Sequence, residues 1–138
     1  MINIRKEMSV SIDDVLHLYL AVGWTNYTNQ PQMLEQSLAH SLAIYVARDG
    51  EEIVGLVRLV GDGFSSVFVQ DLIVLPSYQR QGIGGALMKE ALGDFKDAYQ
   101  VQLVTDQTEK TLGFYRSLGF ETLSTFDCTG MIWLDRKK

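Results

Sequence analysis

Between residues 43 and 96 the apolar pattern changes period once, and that change limits the folds open to the chain. Residues 43–48, 53–60 and 66–74 are apolar, β-rich runs. Asp49-Gly50 and Gly61-Asp62-Gly63 separate them and suit tight turns, so the three runs predict an antiparallel meander ending at Pro76. Beyond it Ile83, Leu87, Ala91 and Phe95 recur every fourth residue, with Met88 and Leu92 beside them. That period predicts an amphipathic helix over 82–96.

The same reasoning extends to both ends. Residues 2–4 alternate as Ile-Asn-Ile, a short opening strand. Ser11 followed by Asp14 is a capping signal for a helix whose apolar face is Ile12, Val15, Leu16, Tyr19 and Leu20. Residues 23–30 read as a polar-aromatic loop. Pro31 suits the first turn of a second helix, with Leu34, Leu38 and Leu42 on its apolar side. Downstream, a strand over 101–105, a short helix over 110–118 capped by Gly119, and strands over 120–126 and 131–134 complete the sheet. The order β-α-α-β-β-β-α-β-α-β-β predicts an α/β (α+β) chain with a mixed, mostly antiparallel central sheet and helices on both faces. No repeat or linker interrupts it, and residues 136–138 read as a solvated tail.

Composition narrows the class further. The chain has 138 residues, room for one domain over 1–138. Hydrophobic residues at 46% and charged residues at 21% exclude wholesale disorder. A formal net charge of −5 argues against nucleic acid as a partner, because such binding needs cations to neutralise phosphates. No apolar run approaches a membrane span, and residues 1–7 do not open a signal peptide, so neither membrane nor secretion is expected. One cysteine, Cys128, excludes an intrachain disulfide and a cysteine-built metal site, and fits a reducing compartment. The expected location is cytoplasmic.

The segment from Val74 to Leu87 carries the chemistry. A buried strand ends, a short loop follows, and Gly82 and Gly84 lead into a helix. The first N–H groups of a helix lack internal partners and sit at the positive end of its dipole, a setting for an anion such as pyrophosphate. Arg80 adds a charge at the rim. Tight packing alone also places glycines at such turns. The dinucleotide fingerprint fits poorly, since Leu87 stands where its third glycine belongs, and no Gly-Lys-Ser/Thr follows to make a P-loop.

Two spaced motifs decide between these readings. Gln79-x-x-Gly82-x-Gly84, preceded by Val74-Leu75-Pro76 and followed by a helix, resembles motif A of the GNAT acyl-CoA N-acyltransferases. Phe114-Tyr115-Arg116-Ser117-Leu118-Gly119-Phe120-Glu121 resembles the family's second signature, a tyrosine followed by Leu-Gly-Phe. The resemblance covers about residues 43–134, and the element order extends it to the whole chain. It implies a sheet splayed between its two central strands, with acetyl-CoA as co-substrate bonded along the exposed edge Leu72-Ile73-Val74. It also implies that the backbone of Arg80, Gln81, Gly82, Ile83, Gly84 and Gly85 cradles the phosphates.

The implied reaction is direct acetyl transfer to the primary amine of a small molecule. The N–H of Val74 would stabilise the oxyanion, and Tyr115 would protonate the leaving thiolate as general acid. Alternatively, Tyr115 is an amphipathic ring closing the core. Asp71 either takes the amine proton, directly or through water, or holds the strand bulge; Asp106 is the reserve base. Thr108 and Thr111 stand where many members place a cofactor-contacting Asn. Trp24 and Tyr27, from a loop overhanging the acceptor side, either stack on the substrate or anchor that loop. Arg58 either reads a substrate carboxylate or lies on a solvated sheet face. His17 and His40 read as partly buried structural residues, and Cys128 as a small core residue. No metal is implied, and family members often dimerise through the 120–134 end, so a homodimer is compatible. The alternatives are an acyl-CoA-binding or regulatory module without catalysis, and an acetyltransferase acting on protein or peptide amines.

Overall fold

The computed structural model of the chain describes residues 1–135, so the expected tail at 136–138 lies outside the described residues. The chain divides into two compact units, Met1–Val104 and Thr105–Lys138.

The first unit is built on a five-stranded sheet in the order β1-β2-β3-β4-β5. The strands are β1 (Ile2–Lys6), β2 (Ala43–Asp49), β3 (Glu52–Gly61), β4 (Ser66–Val74) and β5 (Gln100–Leu103). Consecutive strands pair antiparallel up to β4, and β4 pairs parallel with β5. The helices of this unit are α1 (Ile12–Ala21), α2 (Thr25–Thr28), α3 (Pro31–Ala39) and α4 (Ile83–Asp94). The short turn at Asp49-Gly50 makes β2 and β3 a hairpin, whereas the parallel β4–β5 pair needs the crossover that α4 supplies.

Core packing explains why both faces of the sheet are covered. Val15 and Leu18 from α1, Leu34 and Leu38 from α3, and Val46 and Leu56 from the sheet form one buried cluster. Fully buried side chains of this size each stabilise by about 1.5–3 kcal/mol. On the opposite face α4 lies so close to β3 that a Cβ on Gly55 would sit 3.2 Å from the Leu87 side chain. The Tyr45 hydroxyl of β2 donates to Asp94 near the end of α4 at 2.6 Å.

Several expectations need correction here. The buried face of α1 is Val15, Leu18 and Tyr19, and Leu20 is exposed because the helix turns it outward past the core. Ser11 is the N-cap residue, but it makes no side-chain cap bond; its carbonyl accepts from the Asp14 N–H at 3.1 Å. The expected loop at 23–30 contains α2, which closes against α1 through Trp24 and Tyr27 ring contacts with Tyr19.

The second unit holds α5 (Glu109–Ser117) and a 3-10 turn, Leu123–Phe126. Gly119, at φ +98, caps α5: its N–H donates to Arg116 O and that of Phe120 to Tyr115 O, the two bonds of a Schellman motif. The strands expected at 120–126 and 131–134 are absent among the described residues. The physical reason for the first is local. Thr125, Asp127 and Cys128 donate their N–H groups to the backbone carbonyls of Thr122, Ser124 and Leu123, so local turns satisfy this backbone in place of a ladder. Cys128 is exposed, not in a core: among the described residues of this unit none is buried.

Candidate active site

The sheet opens beside β4. Its parallel pairing with β5 runs only from Ser66–Gln100 to Val69–Leu103, whereas its pairing with β3 continues to Val74 opposite Gly55. Residues 70–74 therefore keep one neighbour and leave one edge unpaired. The register slips at Gln70, since Arg58 faces Asp71 and Leu59 faces Val69. This bulge also inverts the side-chain alternation. Val69, opposite Leu59, faces one side of the sheet, and Asp71, opposite Arg58, faces the other.

Backbone alternation fixes which groups line the open edge. The N–H of Leu75 donates to Val54 O on β3 at 2.9 Å, so Leu75 and Ile73 turn toward β3. Leu72 and Val74 consequently present their N–H and C=O to the open side. The Gln79 side-chain amide, returning from the loop, donates to the Val74 carbonyl at 3.1 Å. That bond ties the loop to the end of the opened strand.

The loop then delivers the helix. A 3-10 turn at Pro76–Tyr78 reverses the chain, and Tyr78 donates to Asp49 at 2.6 Å, fixing the turn to the β2–β3 hairpin. Arg80 adopts φ +67 and Gly82 φ +80. Left-handed backbone at a non-glycine residue is uncommon and is tolerated where the surroundings hold it. The first intrahelical bond of α4 comes from Ala86 to Gly82 O at 3.0 Å, so the Ile83, Gly84 and Gly85 amides precede the ladder. No side chain caps them. A Cβ at Gly82 or Gly85 would meet nothing within 4 Å. Open space over uncapped amides beside a free strand edge fits a phosphate-bearing acyl carrier such as acetyl-CoA.

Behind the bulge lies a buried polar cluster. Asp71 is 2% exposed and Arg58 4%. Arg58 Nε donates to Asp71 Oδ2 at 2.8 Å, the Tyr19 hydroxyl donates to the same oxygen at 2.8 Å, and the Tyr27 hydroxyl donates to Oδ1 at 2.9 Å. Arg58 also donates to the Tyr27 hydroxyl at 3.1 Å and to Ser41 Oγ at 3.2 Å. Burial would depress the Arg58 guanidinium, but the Asp71 carboxylate outweighs it and holds the group above its ordinary value. Burial first, then the same carboxylate, push the Tyr19 and Tyr27 phenols up. Arg58 is thus not on a solvated face, and Tyr27 is spent on Asp71. Trp24 packs half-buried against both tyrosine rings. His17 bonds the Ile53 carbonyl at 2.7 Å, while His40 is exposed at the end of α3. Sequence reasoning missed Tyr19 as a partner of Asp71, since 52 residues separate them and Tyr19 counted only as an apolar helix position.

In the second unit Tyr115 is half-buried between Phe114 and Phe120, with ring centroids at 4.9 and 5.8 Å. Burial, then the charge of Asp106, hold its phenol above the ordinary value. Thr108 caps α5 by accepting from the Thr111 N–H. Both threonines are bonded to Asp106, whose carboxyl the Thr108 hydroxyl and N–H hold below its usual range.

A sheet opened beside a bulged central strand, with a glycine-led helix starting at its mouth, defines the architecture of the acyl-CoA N-acyltransferases. The family model described as acetyltransferase (GNAT) domain matches residues 40–122, and the chain belongs to that family. A solved GNAT-family acetyltransferase from Streptococcus pneumoniae TIGR4 is 72% identical, with a TM-score of 0.92 over 99% of each chain. A GNAT acetyltransferase from Elizabethkingia anophelis, solved with acetyl-CoA bound, shares the fold at 23% identity and a TM-score of 0.64, covering 87% of this chain and 76% of that one. Among curated relatives, chloroplastic serotonin N-acetyltransferase 2 of Oryza sativa subsp. japonica is 26% identical over 120 residues. That match covers 84% of this chain and 59% of the relative, so the chain spans about three-fifths of its length.

Proposed function

We propose that the chain transfers acetyl from acetyl-CoA to the primary amine of a small molecule. The observation that carries this is the free Leu72–Val74 edge leading into the uncapped amides of α4. In this reading the Leu72 and Val74 backbone groups align the acyl arm, and the Arg80–Gly85 backbone holds the phosphates. Acetyl-CoA supplies an activated thioester carbonyl. The Val74 N–H stabilises negative charge growing on that carbonyl oxygen, and a donor already in place costs no reorganisation during the reaction. Tyr115, protonated throughout the neutral range, gives its proton to the departing thiolate.

Asp71 serves this reading better as an anchor than as a base. Both its oxygens already accept hydrogen bonds from buried donors, and it is closed off from solvent. The amine then attacks as its neutral fraction, so turnover rises with pH toward the amine's own pKa. Trp24 and Tyr27 support the acceptor side by bracing α2. Among the described residues no helix is long and apolar enough to cross a membrane, and a cytoplasmic location accords with this.

Thermal unfolding with and without acetyl-CoA, followed by a free-thiol assay over a panel of amines, tests the proposal. Binding at 100 times the dissociation constant adds about 2.7 kcal/mol, several degrees in Tm, whereas NADH should add nothing. Thiol release that depends on the amine supports catalysis. Binding without release from any amine would instead favour an acyl-CoA-binding module.

A further inference from the structure

Resting on the acetyl-CoA reading of the site, we propose that Asp49 and Tyr78 are positioning residues for that ligand. Their mutual hydrogen bond holds loop 76–82 in the one shape that presents the α4 amides to the phosphates. The loop needs such a hold. Arg80 at φ +67 and Gly82 at φ +80 place two left-handed residues among the last three before α4. Such backbone at a non-glycine residue persists only where the surroundings enforce it. The loop's other bonds are local. The Tyr78 N–H donates to Leu75 O at 2.8 Å, the Gln79 N–H to Pro76 O at 3.3 Å, and the Gln79 side chain to Val74 O. Among the described residues, the Tyr78 hydroxyl on Asp49 Oδ2 makes the one hydrogen bond from residues 76–82 to a distant part of the chain.

The other end of that bond is rigid. Asp49 closes β2 and pairs with Ile2 of β1 and with Glu52 of β3, so three strands set its backbone. The 2.6 Å separation is that of a hydroxyl on a charged carboxylate, a stronger bond than one between neutral groups. The Tyr78 hydroxyl in turn holds the Asp49 carboxyl below its usual range. Neither side chain has to touch acetyl-CoA to matter. A ligand that binds only one shape of a loop loses affinity in proportion to the fraction of molecules holding that shape. One net hydrogen bond changes that fraction by about three- to tenfold.

Titration calorimetry with acetyl-CoA tests this on the full chain and on Tyr78→Phe, Asp49→Ala, Asp49→Asn and the double variant Tyr78→Phe, Asp49→Ala, with Tm recorded for each. Kd should rise about three- to tenfold in Tyr78→Phe and in Asp49→Ala. The double variant should bind no more weakly than the weaker single one, because both substitutions remove the same bond. Asp49→Asn keeps an acceptor oxygen and should fall between the wild type and Asp49→Ala. An unchanged Kd in Tyr78→Phe, with Tm lowered or not, leaves the bond to stability alone and overturns the proposal. So do losses that multiply in the double variant, or an Asp49→Asn variant that binds as weakly as Asp49→Ala. In each of these cases wild-type binding keeps the acetyl-CoA reading intact. A wild-type chain that binds no acetyl-CoA removes both.

Discussion

At the scale of single residues, the Asp71 cluster and Tyr115 make opposite demands on a substitution. Asp71→Asn leaves the Arg58 guanidinium buried without its counter-charge, which costs about 3–5 kcal/mol. A fall in Tm on the order of 10 °C, read by calorimetry, is the expected outcome. Tyr27→Phe removes one bond to the carboxylate and should cost about 1.5–3 kcal/mol. If Asp71→Asn abolished turnover while leaving Tm unchanged, the carboxylate would be acting as the base after all. For Tyr115→Phe the stability should hold and kcat should fall by roughly 10²–10⁴, with KM for acetyl-CoA unchanged. The pH dependence follows from the raised phenol. A general acid works while protonated, so a pKa above the ordinary 10 places the alkaline loss of activity above pH 10. A kcat profile falling already near pH 8 would remove Tyr115 from that role.

At the scale of elements, the junction between β4 and α4 separates stability from binding. Gly85 lies in the first turn of α4, where a Cβ meets open space. Alanine is the better helix former by up to about 1 kcal/mol, so Gly85→Ala should raise Tm slightly. Gly85 belongs to the backbone proposed to hold phosphate, so a methyl group added there should raise KM for acetyl-CoA. Unfolding and steady-state kinetics on one preparation show whether the two move in opposite directions. Here the sequence was informative. Hairpin turns, a fourfold helical repeat and glycines at a helix start are local signals, and β2, β3, β4 and α4 lie within a few residues of where they were expected. The segment after Gly119 was not legible in the same way. Its apolar pattern suits strands, but a strand exists only where another edge accepts it, and local turns satisfied part of this backbone first.

For the whole molecule, acid sensitivity follows from how its carboxylates are held. Arg48 hydrogen bonding keeps Glu7 below its usual value, as the Tyr78 hydroxyl does for Asp49 and the Ser65 hydroxyl for Asp62. A carboxyl with a folded pKa below its unfolded one contributes stability in full above the unfolded value, near 4. That contribution is lost as pH falls through the folded values. Tm should therefore be flat from pH 7 to about 5 and decline steadily below about 4.5. An unchanged Tm at pH 3 would mean that these bonds do not survive in solution.

The sequence by itself determined the chain's mixed α/β class, its element order up to α5 apart from the short α2, and the two motifs that mark the family. These depend on residues close together in the chain, where spacing maps directly onto one helix face, one turn or one helix start. Only the tertiary structure decided what the polar residues do. Arg58, Asp71, Tyr19 and Tyr27 come from four elements and carry no shared spacing. Their common burial appears once the Gln70 bulge has switched Asp71 to the face that α1 and α2 cover. Pairing of charges in a low-dielectric interior is a property of three-dimensional proximity, and no one-dimensional pattern encodes it.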